Sequence, residues 1–220
     1  MSKFYVPKQD EEYLAPFGPI MGYKKMSDSF VKKMNESMSP DLPDWSDKLV
    51  GKVKQELKFD SKIEKLFLEE FSQFIGRLNN YSEYRHSFGK KKLNTKDFNY
   101  AVRIVSGWFV RQFENEFNPI HWHGGHVSGA GFLKVPKNFG DFSQDKGNNT
   151  FQGGNLNFID GSHRFMSNSV FKIKPKVGDF YFFPNYLMHT VYPFKDTNEE
   201  RRSISFNAYI DEDIFNVYGR

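Results

Sequence analysis

The sequence predicts a mainly β protein with supporting N-terminal helices, its β body a sandwich or jelly roll. Three observations carry that expectation. Phe is abundant, at 25 residues, and aromatics make up 18% of the 220-residue chain, which suits half-buried pleated surfaces. Short β-rich runs recur after about residue 99, separated by Gly, Pro and Asn clusters. Helical periodicity is confined to the first third.

Each element has its own signal. Ile20, Met21 and Tyr23 follow Phe17-Gly18-Pro19, so Pro16–Lys25 reads as a strand entered from a turn. Ser27 can cap a helix reaching about Met38, with Phe30, Val31 and Met34 on one side. Pro40 and Pro43 make Ser39–Trp45 a loop. A longer helix spans about Ser61–Leu78. There Ile63, Leu66, Phe67, Phe71, Phe74, Ile75 and Leu78 recur at helical spacing as a core-facing stripe. From about Asn99 the period changes. Tyr100–Phe113 reads as one long strand or two short ones. Gly129–Val135, Asn155–Ile159, Val170–Ile173, Asp179–Phe183 and Ser203–Ile210 read as further strands. Turns fall at Pro136–Gly140, Gly147-Asn148-Asn149, Asp160-Gly161-Ser162 and Lys176–Asp179. The length fits one domain. In it, residues 1–98 form a mixed helical support and residues 99–212 the β core.

Bulk chemistry narrows the function classes. Net charge is +4 and pI about 9.0, which is only mildly basic. Lys90-Lys91-Lys92 reads as a solvated loop, because no aromatic platform accompanies it, so there is no strong nucleic-acid signal. The chain has no Cys, which excludes disulfides and thiolate metal sites. No apolar run approaches the ~18 residues of a membrane span, and Met1–Asp10 lacks a signal-peptide core. A cytoplasmic protein without membrane contact is the default. A homodimer is left open.

Histidines carry the functional signal. Of six in the chain, four are His121, His123, His126 and His189. On an extended segment, His121 and His123 share a face while Trp122 points away. His189 follows Phe182-Phe183-Pro184, at the end of a strongly apolar strand, where an imidazole needs a reason. Together they offer a three-point face for a metal ion, and imidazole suits Fe, Zn, Cu and Ni. His126 lies beyond Gly124-Gly125, where geometry cannot be read.

The surrounding text resembles a known family. The residues are Asn118–His123, Ser128-Gly129, Lys174–Asp179, Phe183-Pro184 with Leu187 and His189, and Arg201–Asn207. Their order and spacing are similar to those of the 2-oxoglutarate/Fe(II)-dependent dioxygenases, in a putative oxygenase branch near the prolyl hydroxylases. The resemblance covers roughly residues 100–210. It implies a double-stranded β-helix, or jelly roll, holding Fe(II), with 2-oxoglutarate as cosubstrate. It maps the first ligand to His121 and the distal one to His189. The family's second ligand is a carboxylate two residues after the first, and here that position holds His123. A site of His121, His123 and His189 is the first expectation, with Asp160 as an alternative carboxylate.

The cosubstrate's far carboxylate needs a deep cation, and the planar fork of Arg suits it. The resemblance implies an Arg with a Ser two residues later, and Arg201 and Ser203 match. Alternation sets both on one face, opposite Ile204 and Phe206. Arg202 is the rival, one residue of register away. Gln112 is a further cosubstrate contact in outline. The implied activity is hydroxylation of a C–H bond on a peptidyl or small-molecule substrate, releasing succinate and CO2. Two rivals stand beside it: a cupin-like metalloenzyme that does not use 2-oxoglutarate, and a non-catalytic jelly-roll binding module.

Overall fold

The computed structural model describes residues 9–14, 18–86, 102–140, 153–165 and 168–210. The Lys90–Lys92 run and the Gly147-Asn148-Asn149 turn lie outside these residues. In the first third, β1 (Glu11–Leu14), β2 (Met21–Lys25), α1 (Asp28–Ser37), β3 (Gln55–Lys58) and α2 (Ser61–His86) follow in order. Then come β4 (Arg103–Gln112), β5 (Asn118–His121), β6 (Val127–Lys134) and β7 (Leu156–Ile159). The last elements among the described residues are β8 (Val170–Ile173), β9 (Asp179–Pro184), β10 (Met188–Val191) and β11 (Arg201–Tyr209).

Both helices start where the side chains dictate. Ser27 accepts a hydrogen bond from the Phe30 N–H at 3.2 Å. Asp60 Oδ1 accepts from Lys62 and Ile63 N–H, each at 2.9 Å. These are the orphan donors of a first turn. Helix α2 outruns its apolar stripe, continuing past Leu78 through Asn79-Asn80-Tyr81 to His86. The stripe ends because the buried positions just past Leu78, Asn79 and Asn80, are polar. No helix among the described residues is long and apolar enough to cross a membrane.

The strands form two antiparallel sheets. The larger has the order β1-β2-β9-β6-β11-β4-β3, the smaller β5-β10-β7-β8. The N-terminal third thus contributes strands as well as helices, including β3, which the sequence did not signal. The expected strand over Tyr100–Phe113 is one strand, β4. The apolar strand before His189 ends at Pro184 in the large sheet, and His189 sits in β10 of the small one. The chain crosses between the sheets at residues 185–187.

Packing follows three layers. Phe67, Phe71 and Phe74 of α2 lie against Phe180, Phe182 and Phe206 on the outer face of the large sheet, with ring centroids as close as 4.5 Å. Each buried Phe contributes ~2–3 kcal/mol by area removed from water. The glycines of β6 make room for this layer: a Cβ on Gly131 would collide with the Phe180 ring. A second core fills the space between the sheets, around Phe132, Phe158, Tyr181 and Phe183.

The central strand β11 is fixed in register by Glu200, which is only 5% exposed. Its carboxylate accepts from Arg111 Nε at 2.7 Å and from Arg202 Nε and Nη2 at 2.9 Å. Lys134 Nζ stands at 3.5 Å. Arg202 also donates to Asn35 Oδ1 of α1 at 2.9 Å. Burial alone would raise the Glu200 carboxyl, but hydrogen bonds from Arg202 and Arg111 outweigh it and hold the group at about 2. That stability is present above the unfolded value near 4.3 and is lost as pH falls through about 2.

Glu200→Gln should therefore destabilise the protein by ~2 kcal/mol at pH 7, a buried-pair loss discounted for the partly open cations. The gap from wild type should narrow as urea titrations move from pH 5 toward pH 2. A constant gap would show that the charge on Glu200 contributes nothing.

Candidate metal centre

Strands β5 and β10 bring two histidines face to face, because His121 and His189 are direct antiparallel partners. Their ring centroids are 4.3 Å apart. His123 lies just beyond β5. Its backbone is held there by Asn185, which accepts from the His123 N–H through its carbonyl and donates from Nδ2 to the His123 carbonyl, both at 2.9 Å. Gly125 then turns the chain toward β6 at φ 88°, a conformation that favours glycine.

The three rings offer ligand atoms that all lie within 4.8 Å of one another. His121 Nδ1 is 2.7 Å from the Pro119 carbonyl, and His189 Nδ1 is 2.9 Å from the Leu187 carbonyl. A carbonyl only accepts, so each Nδ1 carries the proton and each Nε2 is left with a lone pair. His123 Nε2 lies 3.1 Å from His189 Nε2. Two nitrogens on neighbouring corners of one ion, each ~2.1 Å from it, would stand roughly 3 Å apart. Burial lowers the His121 pKa and takes His123 to about 3. It also pushes His189 well below its usual range, with His121 and His123 adding to the effect. Neutral, oriented imidazoles are the form a metal requires. The donor set therefore fits a first-row divalent ion such as Fe(II).

This is the group of three or more potential ligands found among the described residues. Asp160 is not in it. His126 is not in it either: its Nδ1 accepts from the Ile210 N–H at 3.1 Å.

Strand alternation splits the arginine pair. Arg201 and Ser203 are 2% and 4% exposed and face the space between the sheets, while Ile204 and Phe206 pack toward the helices. Arg201 Nη1 donates to Gln112 Oε1. Its Nε is buried with no partner, and the guanidinium lies 5.0 Å over the Phe132 ring. Burial lowers its pKa to about 9, so it is still a cation at pH 7. No carboxylate among the described residues pairs with it. An uncompensated buried cation is costly, and an anion in the adjoining space would relieve it. Gln112 lies behind this guanidinium, and its Nε2 donates to the Glu116 carbonyl at 2.5 Å. It positions Arg201.

One cavity of about 290 Å³ joins these parts. His121, His123, His189, Arg201 and Ser203 all line it. So do residues the sequence did not single out, among them Glu56 of β3, Trp45 and Trp108. Glu56 had no signal, because β3 is four residues long with one apolar member. A buried polar chain, Ser128 Oγ to Asn207 Oδ1 at 2.8 Å and Asn207 Nδ2 to Ser106 Oγ at 3.4 Å, ties β4, β6 and β11 beneath the site.

Co(II) added to the metal-free protein should bind once per chain and quench tryptophan fluorescence, since the Trp108 ring is 6.0 Å from that of His123. His189→Ala should weaken binding more than about 100-fold, as even outer-shell partners are worth 10–100-fold. Asp160→Asn should leave it unchanged. A loss there would reveal a fourth ligand outside the cluster.

Residues 106–207 match the family model described as putative 2OG-Fe(II) oxygenase. No curated protein matches the chain. Among solved structures, a Pseudomonas putida prolyl-4-hydroxylase aligns at TM-score 0.50 and 14% identity, over 91% of this chain and 93% of that one. A viral collagen prolyl hydroxylase from Paramecium Bursaria Chlorella virus-1 aligns at TM-score 0.48 and 14% identity, over 91% and 96%. HygX from Streptomyces hygroscopicus, solved with iron bound, aligns at 0.47 and 10% identity, over 87% and 82%. At 14% identity the Pseudomonas putida structure speaks for the jelly-roll fold alone. Over residues 106–207, a little under half of its length, the chain carries the pattern described as a putative 2OG-Fe(II) oxygenase.

Proposed function

We propose that the chain hydroxylates a C–H bond of a peptidyl or small-molecule substrate in the cytoplasm, converting 2-oxoglutarate to succinate and CO2. We assign iron to His121, His123 and His189, and the far carboxylate of 2-oxoglutarate to Arg201 and Ser203. The observation that carries this reading is the buried Arg201 guanidinium, which has an unpartnered Nε and no carboxylate partner among the described residues, facing the same cavity as the three imidazoles. On this reading residues 1–220 act as one oxygenase domain, with 1–98 supporting the core at 99–212.

When bound, Fe(II) with 2-oxoglutarate supplies the activation of dioxygen and the oxidising power. The chain's own residues do the rest. The Pro119 and Leu187 carbonyls hold the His121 and His189 rings in one tautomer. Gln112 keeps the Arg201 fork in place, so a carboxylate meets a preset partner with little reorganisation. Ser203, one strand position further along the same face, offers a hydroxyl. Phe132 and Leu156 exclude water around the anchor.

Three neutral imidazoles carry no negative charge, whereas a carboxylate ligand would bring one. An ion held by these three rings would therefore keep more of its charge and would hold an anionic cosubstrate more tightly. His123→Asp should accordingly retain metal but weaken 2-oxoglutarate binding. Apart from its metal, the site's main anion partner is Arg201. Arg201→Ala should weaken 2-oxoglutarate ~10–100-fold, the value of 1.5–3 kcal/mol for bonds to a charged group. Arg202→Ala should leave that affinity within a factor of about 3. Anaerobic addition of Fe(II) and 2-oxoglutarate, followed by absorbance and then by succinate release in air, checks the whole reading. Absence of both under every condition tested would sink it. Metal binding without 2-oxoglutarate dependence would instead favour a cupin-like enzyme.

A further inference from the structure

Glu56 presents a carboxyl to the same cavity from β3, the edge strand of the large sheet. It is the one acidic residue among those lining that space and is 4% exposed. Its place is built. Glu56 N–H donates to Ser46 Oγ at 3.1 Å, and its carbonyl accepts from the Trp45 N–H at 2.7 Å. Across the large sheet, Glu56 pairs with Val110, which pairs with Ser203. It therefore stands in the row of the proposed cosubstrate anchor, two strands and roughly 10 Å away. That spacing leaves room for a second molecule beside 2-oxoglutarate.

The side chain has no cation to pair with among the described residues. Every influence on it acts in one direction. Burial raises it most, then the Asp44 and Glu116 carboxylates, to about 8. Arg201 is engaged with Gln112, and Lys48 lies on the exposed rim. His121 and His123 face the space as neutral rings. A lone buried carboxyl weakens a fold, and glutamine would fill the same volume at less cost. Its retention has a reason if a ligand completes it.

The walls indicate which ligand. All three tryptophans of the chain line this cavity: Trp108 is buried, Trp122, expected to point away, stands at the rim with 54% exposed, and the Trp45 ring has Lys58 Nζ 4.5 Å from its centroid. Indole faces beside a carboxyl form the setting that receives organic cations. Asp44 and Glu116 add negative potential on the Glu56 side, which favours a cation over an anion.

We propose that Glu56 determines substrate specificity, and that the substrate carries a basic nitrogen, an ammonium or guanidinium, which pairs with Glu56 among the tryptophans. The substrate's C–H bond is then presented toward the histidine cluster. This assignment rests on the oxygenase reading of the site. At pH 7 the incoming cation takes the place of the Glu56 proton, which passes to solvent. Binding therefore releases about one proton per chain.

Two measurements test it. Butylammonium and butylguanidinium, compared with butanamide and butyrate by calorimetry on the full chain, should bind roughly tenfold more tightly. Repeating the titration in two buffers of different ionisation heat should show the released proton. Glu56→Gln should erase both the preference and the proton release, and Glu56→Asp should restore part of each. The second measurement is thermal unfolding against pH. A folded pKa raised to about 8 means stability present below about 4.3 and lost as pH rises through 8. Glu56→Gln should thus gain on wild type across that window. Equal binding of the four probes, a preference that survives in Glu56→Gln, or parallel pH curves would overturn the proposal. A separate titration of wild type with 2-oxoglutarate keeps the two readings apart. Its failure alongside an intact cation preference would sink the oxygenase assignment and leave Glu56 standing.

Discussion

The site depends on the two-residue alternation of β11. Odd-numbered positions from Arg201 to Asn207 face the cavity, and even-numbered positions from Ile204 to Ala208 face the helices. A slip of one residue would drive Phe206 into the cavity and the Arg201 guanidinium into the phenylalanine layer of α2. Two anchors prevent that slip. Phe206 packs against Phe67, with ring centroids 4.7 Å apart, and Glu200 clamps Arg202 on the outer side. Specifying the register thus also specifies which arginine faces the cavity.

The same alternation explains the division of labour between the sheets. The large sheet buries its outer face under α2, so its stiffness is set by aromatic packing far from the cavity. The small sheet supplies His121 and His189 on adjacent strands, where antiparallel pairing fixes their distance without a loop having to find it. Metal ligands on one sheet and an anion anchor on the other are held apart by the core residues between, notably Phe132, Phe158 and Phe183. Sites mounted on paired strands in this way need little ordering when a ligand arrives.

Much of this was legible in the sequence, for identifiable reasons. The α2 stripe shows its period directly because one face is deeply buried, and the strands β7, β8, β9 and β11 show as short β-rich runs, β9 being apolar throughout because both of its faces are buried. The i, i+2 spacing of His121 and His123 and the Arg201–Ser203 pair follow from the same period. What failed to show lies where local pattern is short. Strand β3 has four residues, Gln55-Glu56-Leu57-Lys58, and its membership of the large sheet is decided by pairing with β4, a long-range event. The separation of β10 from β9 is likewise invisible, since Leu187, buried in the turn between them, continues the apolar text. Asp160, an acceptable ligand on paper, sits at a turn whose direction only the fold sets.

Two buried glutamates show how environment assigns roles that residue type cannot. Glu200 and Glu56 are 5% and 4% exposed. Glu200 meets two guanidiniums and an ammonium, and is held ionised at about 2. Every partner it needs is already in the fold, so its contribution is structural. Glu56 meets only burial and two further carboxylates, and is driven to about 8. Nothing described in the fold completes it, and the space it faces is walled by indoles. A group that lowers stability in the free protein and would be relieved by a ligand marks a binding position. By the same logic Arg201, a cation with an unpartnered Nε across the cavity, marks the other. The cavity thus presents a cation for an anionic cosubstrate and a carboxyl for a basic substrate, about 10 Å apart on one sheet, and the histidine cluster faces the same space from the other sheet.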